Sequence, residues 1–208
     1  MRQLNGAKVY SASDVMSFLE CEHSTTLALI DLVSPLPCNP EDEQLALVQE
    51  RGLVHERAYL ATLTEQGRRV IDIHQHAGKD VQSRVEATLQ AMRDGYDVIY
   101  QAAFLDGNLL GYADFLVKVP LPSVLGDYGY ELIDTKLAHS SRSKFLVQLC
   151  FYAHLLAKAQ ARYPEHMRVL WGSNREAVYR CADYRYYFDT ALARFVARVE
   201  LQPTEAGT

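Results

Sequence analysis

The chain has 208 residues, of which 49% are hydrophobic and 23% charged, and its formal net charge is −5. That composition excludes a disordered chain and suits one well-packed domain with room for a small appendage. The acidic balance argues against nucleic-acid binding through a broad basic face, so any such contact must be local or metal-assisted. No apolar run reaches membrane-spanning length, and "MRQLNGAKVYSASD" lacks the apolar core of a signal peptide. Cys21, Cys38, Cys150 and Cys181 show no pairing pattern, which reads as a reduced, cytoplasmic setting.

In chain order, "SASDVMSFLE" predicts a helix with Ser13 as its N-cap and Val15, Phe18 and Leu19 at helical spacing. The proline-rich "VSPLPCNPED" reads as a loop. Residues 41–66 read as a helix, with Leu45, Val48 and Leu60 apolar. "RRVIDIH" is a short strand candidate. Residues 79–94 predict an amphipathic helix with Val81, Val85, Leu89 and Met92 on one face. "DVIYQAAFL" and "LLGYADFLVKV" predict a hairpin turning at Asp106-Gly107-Asn108. "YELIDTKLA" is a third strand. A helix over 142–161 carries Phe145, Leu149, Tyr152 and Leu156 in one stripe. "MRVLWG" and "AVYRC" read as two strands, and a last helix spans 183–199. The order predicts an α/β fold with a mixed sheet flanked by helices.

The strand "YELIDTKLA" raises a chemical question, because it carries an acid and a lysine among apolar residues. Alternation puts Asp134 and Lys136 on one face, with Thr135 on the other. Glu131 falls on the face opposite Asp134 and reads as structural or solvent-exposed. If the strand bearing Asp114 lies alongside, Asp114 and Asp134 converge. Two close carboxylates repel unless a proton or a cation lies between them. Hard divalent ions such as Mg²⁺ or Mn²⁺ favour such oxygen ligands. A nearby lysine would stabilise developing negative charge. By itself Asp134-x-Lys136 reads more simply as a salt bridge on a surface strand. The hairpin Asp114 balances the two readings.

Two helical pairs add to the pattern. Gly52 and His55 lie one turn apart in "RGLVHERAYL". A helical glycine wants a reason, and close packing that lets His55 approach the sheet is one. An ordinary surface histidine beside a helix kink is the plainer reading. Gln148 and Tyr152 stand at i, i+4 on an otherwise apolar helix. Gln148 would orient the lysine, a water or a phosphate, while Tyr152 reads equally well as a core aromatic. Arg142 and Lys144, at a helix start, suggest phosphate contact or simply a solvated face.

Together, Gly52-x-x-His55, Gly111-Tyr-Ala-Asp114, Asp134-x-Lys136 and Gln148-x-x-x-Tyr152 resemble the RecB-like branch of the PD-(D/E)xK nuclease superfamily. "SASDVMSFLECEHSTTL" and "YELIDTKLA…KFLVQLCFY" look closer still to bacterial RecB family nucleases, relatives of CRISPR-associated exonucleases. The resemblance covers residues 10–200. It implies a restriction-endonuclease-like αβββαβ core over 79–172, an N-terminal helical part over 10–66, and a C-terminal hairpin and helix over 173–200. These form a single nuclease domain over 1–208. It implies His55, Asp114, Asp134 and the Thr135 carbonyl as metal ligands, Lys136 as the catalytic lysine, and Gln148 and Tyr152 as supporting residues. The expected cofactor is Mg²⁺ or Mn²⁺, and the expected partner is DNA, single-stranded or at ends, in repair or recombination. A helicase or a ribonuclease-H-like region, fused or separate, is the other partner it implies.

Many relatives of this branch hold a [4Fe–4S] cluster. Cys21 matches its first cysteine, but the closing cysteines are missing, so the cluster is incomplete here. Cys21 then reads as a buried free thiol; either the chain is a fragment of a longer one, which its ending fits, or it has lost the cluster. The alternative function is a non-catalytic nucleic-acid-binding or assembly module that keeps the fold.

Overall fold

The computed structural model describes residues 1–37, 43–137, 142–173 and 175–201, apart from the side chains of 43–49 and 142–143. Cys38, the apolar Leu45 and Val48, and the Arg142 side chain therefore lie outside the described residues.

The chain opens with a hairpin, β1 (Arg2–Leu4) and β2 (Ala7–Val9), which pair antiparallel. The turn is Asn5-Gly6, both at positive φ (50° and 81°), the conformation that a two-residue hairpin turn requires. Neither strand is among the expected elements. Tyr10 then ties this hairpin to the sheet, donating its N–H to Asn108 O at 2.7 Å and accepting from Leu110 N at 2.8 Å.

Helix α1 (Ala12–Glu20) buries Ala12, Val15 and Phe18. Its N-cap is Ser11 and not Ser13. The Asp14 carboxylate accepts both the Ser11 N–H and the Ser11 hydroxyl at 2.8 Å, closing a capping box that leaves Ser13 inside the first turn. Next come α2 (Glu22–Asp31), α3 (Glu43–Glu65), β3 (Val70–Asp72), α4 (Ile73–Ala77) and α5 (Val81–Arg93). Then follow β4 (Val98–Asp106), β5 (Leu109–Val119), β6 (Gly129–Lys136), α6 (Arg142–Gln160), β7 (His166–Trp171), β8 (Glu176–Arg180) and α7 (Cys181–Glu200).

Strands β3 to β8 form one mixed six-stranded sheet in sequence order. The β3–β4 and β6–β7 pairs are parallel, and the other three pairs are antiparallel. The fold is thus α/β with helices on both faces. One face carries Ile99, Leu116, Tyr130, Leu132, Met167 and Val169 in a core shared with residues of α1, α5, α6 and α7. The other carries Val98, Tyr100, Phe115 and Ile133 against Tyr59, Leu60 and Leu63 of α3. The α6 stripe of Phe145, Leu149, Tyr152 and Leu156 is buried throughout. Among the described residues, no helix is long and apolar enough to cross a membrane.

Of the two readings of Glu131, the structural one holds, since it is 5% exposed. Its carboxylate accepts from Arg168 Nη2 at 3.2 Å and from the His166 N–H at 3.1 Å, partners that a buried charge requires. Of the two readings of Gly52, close packing finds no support. A Cβ there would meet nothing within 4 Å.

Candidate active site

The β5–β6 ladder runs from Val119↔Gly129 to Phe115↔Ile133. The next opposed positions are Asp114 and Asp134, and there the ladder stops. Thr135 instead donates its backbone N–H to Asp114 Oδ2 at 2.9 Å, and its hydroxyl lies 3.3 Å from the same oxygen. On the other side of β5 the register passes from Tyr100↔Phe115 to Ala102↔Ala113, skipping Gln101 and Asp114. Gln101 has φ 55°, a left-handed conformation that costs a non-glycine residue energy. The side-chain alternation of β5 slips at the same place. Ala113 packs in the α6-side core and Phe115 in the α3-side core. Asp114 sits at the slip.

Asp134 is 2% exposed. Lys136 Nζ lies 2.8 Å from its Oδ2, and its Oδ1 has no hydrogen-bond partner. Burial pushes the Asp134 carboxyl well above the usual carboxylate range, and the Asp114 charge pushes it further. Burial also raises Asp114, against the Thr135 N–H and the Lys136 charge. Burial works against the Lys136 ammonium, but Asp134 outweighs it and holds the lysine protonated. Two carboxyls that resist ionising together call for a shared proton or a cation between them.

Helix α6 closes the site from one side. Gln148 Nε2 donates to Tyr152 Oη at 3.1 Å. Burial raises the Tyr152 hydroxyl, and the charges of Asp134 and Asp114 also reach it. Gly111 makes this approach possible. A Cβ at 111 would lie 2.6 Å from Leu155 Cδ1 and 3.1 Å from Tyr152 Cδ1. A side chain at 111 would therefore crowd Leu155 and Tyr152, which glycine avoids.

Helix α3 supplies a residue that sequence reasoning missed, Glu56. Its Oε2 accepts from Tyr100 Oη at 3.0 Å and from Gln101 Nε2 at 2.8 Å. Burial and the Asp114 charge raise its carboxyl, while Tyr100, Gln101 and Lys136 oppose the rise. A cavity of about 410 Å³ lined by Arg57, His74, Tyr100 and Gln101 opens beside it. The available signal was a carboxylate next to His55 in "GLVHER", but such a glutamate usually marks a solvated helix face.

The structure thus brings together Asp114, Asp134, Thr135, Lys136, Gln148 and Tyr152, with Glu56 added. His55 is less tied in. Its Nε2 is buried without a partner, and no hydrogen bond or ion pair joins it to either aspartate. Lys144 is exposed and paired with Glu20 at 2.6 Å. Cys21 is an exposed free thiol, which corrects the expectation of burial. It lies in extended backbone between α1 and α2, where its N–H caps Ser17 O at 2.9 Å. Cys150 and Cys181 are free and buried.

Among the described residues, no three His, Cys, Asp or Glu side chains gather as metal ligands. Two facing carboxylates still suit a hard divalent ion. Mg²⁺ commonly takes only one or two carboxylates and completes its shell with water and substrate oxygens. No protein-family model matches the chain, and no curated protein matches it.

Proposed function

We propose that the chain is a metal-dependent DNA nuclease of the RecB-like type. The observation that carries this reading is the Asp114–Asp134–Lys136 cluster, with its buried, unpartnered Asp134 Oδ1. The run α5-β4-β5-β6-α6-β7 supports it, because it follows the order of the αβββαβ nuclease core.

In this reading Asp114, Asp134 and the Thr135 carbonyl would hold Mg²⁺ or Mn²⁺; the resemblance adds His55, which no contact among the described residues ties to the aspartates. When bound, the ion supplies Lewis acidity that activates water and neutralises phosphate charge. Lys136 places a fixed ammonium where negative charge develops on the phosphoryl oxygens. Its protonation is secured by Asp134. Gln148 and Tyr152 hold the α6 side of the site in shape. The net charge of −5 repels a long duplex footprint, which favours a short contact with single-stranded DNA or a DNA end.

Calorimetric Mn²⁺ titration tests this reading, with wild type compared with Asp114→Ala/Asp134→Ala. Digestion of labelled single-stranded DNA follows, with Lys136→Ala as control. Metal binding lost in the double variant and cleavage lost in Lys136→Ala are the expected results. A folded wild type that binds no metal would leave a non-catalytic binding or assembly module.

A further inference from the structure

Tyr112, inside the Gly-Tyr-Ala-Asp stretch of β5, has no part in the nuclease reading. Strand β6 pairs with β5 only from Phe115 to Val119. At the other end of β5, Tyr10 bonds to Asn108 O and Leu110 N. Among the described residues, no strand covers 111–113 on that side. A cavity of about 270 Å³ lies at this gap, and Arg2, Tyr10, Gly111, Tyr112 and Tyr152 line it. That volume falls just short of the pockets that take drug-sized ligands, about 300–1,000 Å³, and suits a single planar base. Tyr112 also stands two residues before Asp114, about 7 Å along the strand, within the reach of one nucleotide.

Two guanidinium groups flank the Tyr112 ring. Arg2 Nη2 donates to Tyr112 Oη at 2.9 Å, and its guanidinium carbon lies 5.7 Å from the ring centroid. The Arg84 carbon lies at 5.9 Å, with Arg84 Nε donating to Gly78 O at 2.6 Å. Among the described residues, neither arginine has an ion pair and no aromatic ring packs on Tyr112. The distances decide whether the ring is free. Where an arginine covers a tyrosine face in this chain it comes closer, 4.0 Å for Arg69 on Tyr96 and 4.4 Å for Arg185 on Tyr163. The longer distances at Tyr112 leave room on its face. Asp14 also lines the cavity, but its carboxylate is engaged by the Ser11 N–H and hydroxyl. An open aromatic face beside two unpaired guanidiniums matches a base together with its phosphates.

We propose that Tyr112, flanked by Arg2 and Arg84, is the platform on which one nucleobase of a single-stranded substrate stacks. This rests on the nuclease reading and gives its site a strand preference. An unpaired base reaches the ring, whereas a base held in a duplex must first leave its stack.

The test is steady-state cleavage of a labelled single-stranded oligonucleotide in Mn²⁺ by wild type, Tyr112→Phe and Tyr112→Ala, each checked by circular dichroism. A fully abasic strand of the same length serves as competitive inhibitor. Tyr112→Ala should raise KM about tenfold with kcat within about twofold, and Tyr112→Phe, which keeps the ring, should raise KM no more than about threefold. The abasic strand should inhibit wild type and Tyr112→Ala equally. An unchanged KM in Tyr112→Ala overturns this proposal and leaves the nuclease reading standing. Abasic inhibition weakened about tenfold in Tyr112→Ala also overturns it, since the ring would then only pin the β1–β2 hairpin. A wild type that cleaves no DNA overturns both. If Tyr112→Ala does not fold, Tyr112→Leu decides, and a wild-type KM there overturns the stack.

Discussion

Asp114 Oδ2 accepts the backbone N–H of Thr135 at 2.9 Å, at the point where the β5–β6 ladder ends. A side chain has taken the place of a strand carbonyl, and its carboxylate is thereby fixed opposite Asp134. An asparagine at 114 keeps an acceptor for that N–H and removes the like charge. Its amide also offers a donor toward Asp134. We expect Asp114→Asn to stabilise the metal-free chain by about 1 kcal/mol while weakening Mn²⁺ binding at least about tenfold. Urea melts in EDTA and calorimetry measure the two effects. A less stable variant would count against repulsion between the pair.

The same pair sets a pH dependence. Asp114 and Asp134 both have carboxyls raised in the fold. A raised carboxyl favours the native state while protonated. That stability is present below about pH 4, the ordinary range, and is lost as pH rises above it. The urea midpoint in EDTA should therefore fall between about pH 5 and about pH 8. Saturating Mn²⁺ should remove most of the fall, and so should Asp114→Asn. A midpoint that rises over this range in the metal-free wild type would sink the argument.

Two glycines should respond in opposite directions. Gly111→Ala drives a Cβ to within 2.6 Å of the buried Leu155 and 3.1 Å of Tyr152. Overpacking of this kind costs about 1–3 kcal/mol, and displacing α6 should also lower cleavage. Gly52→Ala meets open space inside α3. It should stabilise by about 0.5–1 kcal/mol. Thermal melts of both variants check the pair, and a destabilised Gly52→Ala would reopen a packing role for that glycine.

Glu131 offers a structural control away from the cation. Glu131→Gln leaves Arg168 and His166 facing a neutral group across β6 and β7. Since Arg168 remains about a third exposed, the loss should be about 2 kcal/mol, below that of a fully buried pair. Mn²⁺ affinity should not change. A large loss of affinity would mean that the two clusters are coupled through β6.

Much of this was legible along the chain. The Asp106-Gly107 turn announced β4 and β5, because its backbone conformation is a local property. The apolar stripe of α6 announced a buried helix. Asn5-Gly6 carried the same kind of signal for β1 and β2, but their strands are only three residues long, too short for alternation to register. Helix α2 was missed for another reason. Leu27 and Ile30 are more than 40% exposed, so its apolar residues do not mark a single buried face. For Glu131 the sequence left burial and exposure both open, because its partners, Arg168 and His166, lie far along the chain.

By itself the sequence determined that Asp134 and Lys136 share a face, since alternation along a strand is a local rule. It also determined the helix and strand types whose periods run long enough to read. Only the tertiary structure decided that Asp114 stands opposite Asp134, because that follows from the register between β5 and β6. It alone set Glu56 of α3 against Tyr100 and Gln101 of β4. Contacts between residues distant along the chain depend on packing and register, which a local pattern does not specify.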